Sequence, residues 1–307
     1  MRITQAQLNA IMHSSLGQNA AATGKLMQQM ATGQRIIVPS DDPIASVRLL
    51  RIAREEANLT QYQHNIKALS GRLSAAEANL QAGSDTLLEI RDLLLWAANR
   101  GANSDEDLGS MAAELLTLEE TFVSYLNVRD EEGRYYFSGT LTNQPPVVFD
   151  ASATTDPYSI QGNDSYRKVA VGNGVFIEDN VTVDKVLGVD PVTREPVFLN
   201  QLHELANKML TSPGTITTEI GDAISSLDRT LASLSGQITE LGGRQNTLTL
   251  LKDSQADVSL ANQKIEGELK SLDYAKASLD LANYQVALQA TQKSYLKLHT
   301  LNLFDLM

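Results

Sequence analysis

Residues 59–97 read LTQYQHNIKALSGRLSAAEANLQAGSDTLLEIRDLLLWA. Apolar residues recur there at alternating steps of three and four: Leu59, Tyr62, Ile66, Leu69, Leu73, Ala76, Leu80, then Gly83, then Leu87, Ile90, Leu94 and Ala97. Those steps keep one face of an α-helix apolar, and sustained over this length they mark a coiled-coil seam. At ~1.5 Å per residue the segment spans roughly 60 Å.

Working outward, RGANSD at 100–105 breaks the seam. Ser104, with Asp107 three residues on, predicts a capped helix start. A second seam follows: Leu108, Met111, Leu115, Leu118, Phe122 and Tyr125, with Gly133 as the expected stop. Residues 135–197 then change character. YYFSG, PPVVFD, YSIQG and KVAVGNGVFIEDNVTV are rich in β-branched and aromatic residues punctuated by Gly, Pro and Asn, which predicts short strands and turns. Helical spacing resumes near Phe198 and stops at Pro213-Gly214. A third long seam runs Ile220, Ile224, Leu227, Leu231, Leu234, Ile238 and Leu241. It crosses Gly242-Gly243 and is read on through Val258, Ile265 and Leu269. No proline intervenes, so one continuous or mildly kinked helix is expected.

The last segment, 272–303, carries two apolar stripes. Leu272, Ala275, Leu279, Ala282 and Val286 form one; Tyr274, Ala277, Leu281, Tyr284, Leu288, Tyr295 and Leu298 form the other. A helix apolar on two faces must bury more than one face, and one intramolecular partner covers only one. Residues 3–37 supply that partner through Leu8, Met12, Leu16, Leu26, Met30 and Ile37. The expected fold is mainly α. Long antiparallel helices from both chain ends form a coiled-coil bundle, with a small all-β domain inserted in the middle. Three divisions follow: a terminal coiled-coil assembly domain at 1–38 plus 272–307, a long-helix bundle at 39–134 plus 198–271, and a β-rich outer insert at 135–197.

VPSDDP at 38–43 decides between chemistry and architecture. Adjacent carboxylates can bind a metal or share a proton. Here Pro39 cannot continue a helix and pushes Val38 out of helical geometry. Asp42 suits an N-cap with Pro43 at the first helical position; alternatively Ser40 caps and Asp41 and Asp42 face the positive end of the helix dipole. Either way the segment breaks one helix and starts the next, and no convergent cluster accompanies it. The four histidines, His13, His64, His203 and His299, are far apart and each in a helical segment. No phosphate loop and no Gly-x-Ser-x-Gly elbow occurs. No catalytic, cofactor-binding or metal site is therefore expected.

The chain of 307 residues has no cysteine, a net charge of −12 and 5% aromatic residues. The acidity argues against nucleic acid as a partner. The first residues lack a secretory signal's apolar core, and no stretch approaches the ~18 apolar residues of a membrane span. Residues 1–38 hold Arg2, Lys25 and Arg35 and no acid, and residues 272–307 hold three acids against three lysines, so the whole acid excess lies between the ends.

ATGQRI at 31–36, PSDDP at 39–43, QYQHNI at 61–66, YYFSGT at 135–140, ITELGGRQNTL at 238–248 and the ending from LDYAKASLDLANYQ resemble the flagellin superfamily. Among its members the hook-associated junction proteins, which stand between hook and filament, are the most similar. That resemblance implies an extracellular flagellar subunit, exported unfolded through the flagellar type III channel without a cleaved signal. It implies terminal helices in the inner layer of a tube, central helices outside them and the β insert outermost. Partners would be copies of itself, a neighbouring hook-associated protein on the hook side, and flagellin or another hook-associated protein on the filament side. An export chaperone would grip the C-terminal helix. The assembly interface would comprise Leu8, Met12, Leu16, Leu26 and Met30 with Leu272, Leu279, Leu281, Val286, Leu288, Tyr295 and Leu298. A flagellin-like filament subunit is the alternative, although MRITQAQLNA and PSDDP depart from the flagellin pattern. A coiled-coil signalling protein and a wall-cleaving hydrolase using Asp41 and Asp42 are readings from other classes.

Overall fold

The computed structural model describes residues 5–99, 104–153, 155–211 and 216–304; at the outer ends of the first and last helices it describes the backbone. Seven helices and four short strands are found among them: α1 (Gln5–Thr32), α2 (Pro43–Ala98), α3 (Asp105–Leu126), β1 (Val147–Phe149), β2 (Tyr158–Ile160), β3 (Lys168–Gly172), β4 (Val175–Glu178), α4 (Val183–Leu187), α5 (Val197–Thr211), α6 (Thr217–Lys270) and α7 (Tyr274–Phe304). The fold is mainly α with a small β region in the middle, the class the spacing predicts. The chain divides into two compact units, one of residues 59–255 and one of 1–58 with 256–307.

In the first unit the α2 seam is the spine. Leu69, Leu73, Leu80, Leu87, Ile90 and Leu94 are all buried in one apolar cluster with Leu108, Leu115 and Phe122 of α3, Leu199 and Leu202 of α5, and Leu227, Leu234 and Leu241 of α6. Gly83 fills a seam position because the Phe122 ring lies against it: a Cβ there would sit 3.3 Å from the ring edge. Arg91 pairs with Asp228 at 2.9 Å, and Gln245 donates to Glu77 at 2.7 Å, so α2 and α6 run antiparallel here.

Ser104 caps α3 reciprocally. Its hydroxyl accepts from the Asp107 N–H at 3.2 Å, and the Asp107 carboxylate accepts from the Ser104 N–H at 2.9 Å. The helix stops at Leu126, seven residues before the expected stop at Gly133. Two side chains divert it. Asn127 bonds the Val147 backbone at both its N–H and its carbonyl, which sets β1 in place. Asp130 then closes a tight turn, accepting from the Gly133 N–H, and Gly133 supplies the left-handed corner at φ +77°.

β1 pairs with β2 and β3 with β4, both antiparallel, the second pair with an irregularity between Ala170 and Gly172. Two-stranded hairpins are marginal alone. These are held because Val147, Tyr158 and Val171 bury into the cluster that the helices form. Arg72 of α2 adds a clamp, reaching Asp130 at 3.9 Å and Asp179 at 3.4 Å, and Arg167 meets the same Asp179 at 2.9 Å. The short α4, absent from the expectation of strands alone, ends on Gly188 at φ +63°, where a Cβ would collide with Ser233.

α6 is continuous across Gly242-Gly243. Beyond them the spacing predicts Val258 and Ile265 on the seam, but both are exposed. The buried positions continue in sevens from Leu241 as Leu248, Gln255 and Asn262. A polar residue can hold a seam position when its hydrogen bonds are made. Gln255 donates to the Val171 carbonyl at 2.6 Å; in the other unit Asn262 donates to Glu56 at 3.0 Å, beside Ser259, which donates to the same carboxylate at 2.7 Å.

Candidate assembly surface

The unit of 1–58 and 256–307 contains every residue expected to mediate assembly. Its ends are stitched at one turn. Helical spacing carries α1 up to Pro39, yet α1 stops at Thr32 because Gly33 takes the left-handed conformation at φ +70°, open to glycine at no steric cost. A Cβ at Gly33 would lie 3.2 Å from the Tyr274 hydroxyl, which donates to the Met30 carbonyl at 3.1 Å. The chain then crosses the junction of α6 and α7. Arg35 N–H donates to Lys270 O at 2.7 Å, Leu272 N–H donates to Gly33 O at 3.1 Å, and Gln34 bridges Ser271.

The two aspartates divide the work of the turn. Asp41 accepts from the Ile37 and Val38 N–H groups at 3.0 and 3.1 Å and meets Lys25 of α1 at 2.6 Å. Lys25 first, and then the two backbone bonds, depress its carboxyl pKa to about 2. Asp42 accepts from the Ala45 N–H at 3.0 Å, capping α2 with Pro43 at its first position. Its other oxygen meets Arg35 at 3.1 Å, and Arg35 also donates to Leu269 O at 3.2 Å. The Ala45 bond and then Arg35 lower the Asp42 carboxyl below its usual range. Pro39 and Ser40 are exposed. Both carboxylates are occupied by backbone N–H groups and by a cation each, Lys25 of α1 and Arg35 of the turn. No group of three metal-ligating side chains that could hold an ion is found among the described residues.

α1 and α7 pack along their lengths, with His13 edge-on to Tyr295 at 5.2 Å between ring centres. Ala277 is 2% exposed and Leu26 is buried. Met12, Leu16, Met30, Leu272, Leu281, Leu288 and Tyr295 are half-buried. The other stripe of α7 opens beyond the half-buried Leu272, with Leu279 63% exposed and Val286 66%; on the paired stripe Tyr274 and Tyr284 are exposed at 51% and 38%. The side chains of Leu8 and Leu298 lie outside the described residues.

Several exposed apolar residues of this unit escape the seam-by-seam reading: Ile11 and Met27 of α1, Ile44, Val47 and Leu50 of α2, Leu260 of α6 and Leu296 of α7. Ile44, Val47 and Leu50 are spaced as one helical face, and that spacing is the signal that could have found them. Among the described residues no helix is long and apolar enough to cross a membrane.

The sequence and fold have clear relatives. Residues 3–142 match the family described as the bacterial flagellin N-terminal helical region. Hook-associated protein 3 of Escherichia coli is 26% identical, with 92% of each chain aligned. The Salmonella typhimurium protein of the same name is also 26% identical, over 100% of this chain and 99% of that one. A solved flagellar hook-associated protein from Vibrio parahaemolyticus is 33% identical, covers 75% of this chain and all of its own, and superposes with a TM-score of 0.69. This two-ended helical chain belongs to the flagellar hook-associated protein 3 family, whose members are structural components of the bacterial flagellum.

Proposed function

We infer that this chain is a structural subunit that self-assembles at the junction between flagellar hook and filament and connects the two. One observation carries the reading. α7 packs Ala277, Leu281, Leu288 and Tyr295 of one apolar stripe into the pairing with α1 and leaves Leu279, Val286 and Leu296 facing outward. Burying apolar surface is the main favourable term in association, at roughly 25 cal/mol per Å². A second face at these charge-poor ends is therefore best covered by neighbouring copies. The set Met12, Leu16, Leu26 and Met30 with Leu272, Leu281, Leu288 and Tyr295 pairs the ends, and Leu279 and Val286 join one subunit to the next. Residues 1–38 and 272–307 act as the inner layer, 39–134 with 198–271 as the layer around it, and 135–197 as the outermost part.

Its partners are copies of itself, a hook-associated protein on the hook side, and flagellin or another hook-associated protein on the filament side. An export chaperone shields the open stripe of α7 until the chain leaves through the flagellar export channel, without signal cleavage. The role is structural and not enzymatic, because Asp41 and Asp42 are consumed by the turn they build.

Deletion of the gene with gold labelling of a tagged copy tests this. The expected result is complete hooks without filaments, flagellin shed to the medium, and label confined to the hook–filament boundary. Normal filaments in the deletion, or label along the whole filament, would overturn the junction reading.

A further inference from the structure

Glu119 lies on the face of α3 that packs on α5 and is 1% exposed. Neither of its carboxyl oxygens makes an aligned hydrogen bond. Its polar neighbours are the Tyr158 hydroxyl of β2 and His203 of α5, whose Nδ1 lies 3.3 Å from Glu119 Oε1. That nitrogen is also buried without a well-aligned partner. With the imidazole proton on Nε2, the bare Nδ1 and a buried carboxylate are two acceptors opposed, each a buried polar group without a partner. One proton between them turns the pair into donor and acceptor.

The surroundings tie this pair to the β1–β2 hairpin. The His203 ring lies 5.2 Å from the Phe149 ring and 5.9 Å from the Tyr158 ring, so both strands of the β1–β2 hairpin touch it. Asn200, one turn earlier on α5, accepts from the Tyr158 N–H at 2.8 Å and donates to the Tyr158 carbonyl at 3.2 Å. A cavity of about 350 Å³ opens beside the hairpin, lined by Phe149, Asp150, Asn200, His203, Asn207 and Lys208. It gives water a path to the imidazole.

We propose that Glu119, His203 and Tyr158 form a proton-operated latch, which holds the β1–β2 hairpin on α3 and α5 while the carboxyl and imidazole share one proton and releases the hairpin when that proton passes to water.

Burial pushes the Glu119 carboxyl up to about 8, with the Tyr158 hydroxyl pulling weakly the other way. Burial also lowers the His203 imidazole, so the proton resides on the carboxyl. The titratable groups around the pair are Tyr158 from β2, Glu120 on the carboxyl's own helix, whose charge also reaches Tyr158, and, round the cavity that His203 lines, Asp150, Asp156, Glu204 and Lys208. α2 and α6 meet this stretch of α3 around Phe122 through Gly83 and Leu234, which carry no charge. The folded value of Glu119 lies above its exposed value of 4.5. The carboxyl's contribution to closure is therefore fully present below that value and is lost as pH climbs towards about 8. Protonation of His203 opposes closure below its exposed value of 6.5.

The test uses the unassembled full chain. Carboxyl carbon NMR, with the Glu119 signal assigned by its loss in Glu119→Gln, should show a midpoint near 8; a midpoint in the ordinary carboxylate range overturns the latch. Amide exchange, corrected for base catalysis, should rise between pH 6 and 8 at Val147–Ile160 relative to β3–β4. The opening equilibrium is expected to grow about tenfold per pH unit. Glu119→Gln, permanently neutral, should abolish that rise. Equal pH dependence of the two hairpins in the wild type overturns the proposal even if the variant fails to fold.

Discussion

The α2 seam and the open stripe of α7 are written in the same apolar period and end in opposite environments. Leu73, Leu80 and Leu87 are spaced by seven and lie inside the cluster formed with α3, α5 and α6. Leu279 and Val286 are also spaced by seven, and more than three-fifths of each is exposed. The difference lies in the number of helices available within one chain. α2 has three helical neighbours in its unit, and α7 packs along α1. Burial is thus a count of neighbours as much as a property of the stripe, and the assembly proposed above gives α7 its further neighbours from other molecules.

The largest effect should separate the two stripes of α7. Leu279→Asp with Val286→Asp should abolish incorporation into flagella while the unassembled chain keeps its thermal stability. Leu281→Asp with Leu288→Asp should also abolish incorporation, but by unpairing α1 from α7, which protease trimming of both ends would report. If both pairs of substitutions leave motility and flagellar labelling intact, the difference between the two stripes has no functional meaning.

The seam side is sharpened by Phe122→Ala. Its ring meets Gly83 of α2 and Phe198 of α5 at once, the latter edge-on at 6.3 Å. Removing a buried aromatic ring costs ~3–5 kcal/mol. Denaturant melts of the 59–255 unit should register that loss, while trimming of the ends proceeds as in the wild type. A smaller step is Ser104→Ala, which removes half of the α3 capping box and should cost ~0.5–2 kcal/mol in the same melts.

These regions differ in how legible they were. Period alone located α2, α3, α5 and α6, because several buried leucines per seam agree with one another. It failed beyond Leu248, where Gln255 and Asn262 occupy buried seam positions through hydrogen bonds to Val171 and Glu56 that lie far away in the chain. It also failed at helix ends set by single residues: Gly33 stops α1 before Pro39 does, and Asn127 ends α3 by bonding Val147. The Glu119–His203 pair was invisible, since nothing in sequence places α3 against α5. In the terminal turn the residue types of VPSDDP announced a helix break and start, but not that Lys25 and Arg35 would hold the two carboxylates.

That turn supplies the smallest expected effect, and it bears on the exposed side of the comparison. Asp41 has a folded carboxyl pKa of about 2, below its ordinary 3.8. A depressed carboxylate contributes stability that is present above the ordinary value and is lost as pH falls through the folded one. The window therefore runs from about pH 4 down to about pH 2. In unassembled chain, protease sensitivity around 33–42 should rise across that window in the wild type. Asp41→Asn should be more sensitive at neutral pH and change less on acidification, while the 59–255 unit responds identically in both. Lys25 is half exposed, so concentrated salt should screen its part of the effect and leave the part due to the Ile37 and Val38 N–H groups. An acid response in Asp41→Asn equal to the wild type's would mean that the carboxylate only decorates a turn that Gly33 and Pro39 already determine, and that the ends are held together by the α1–α7 stripe alone.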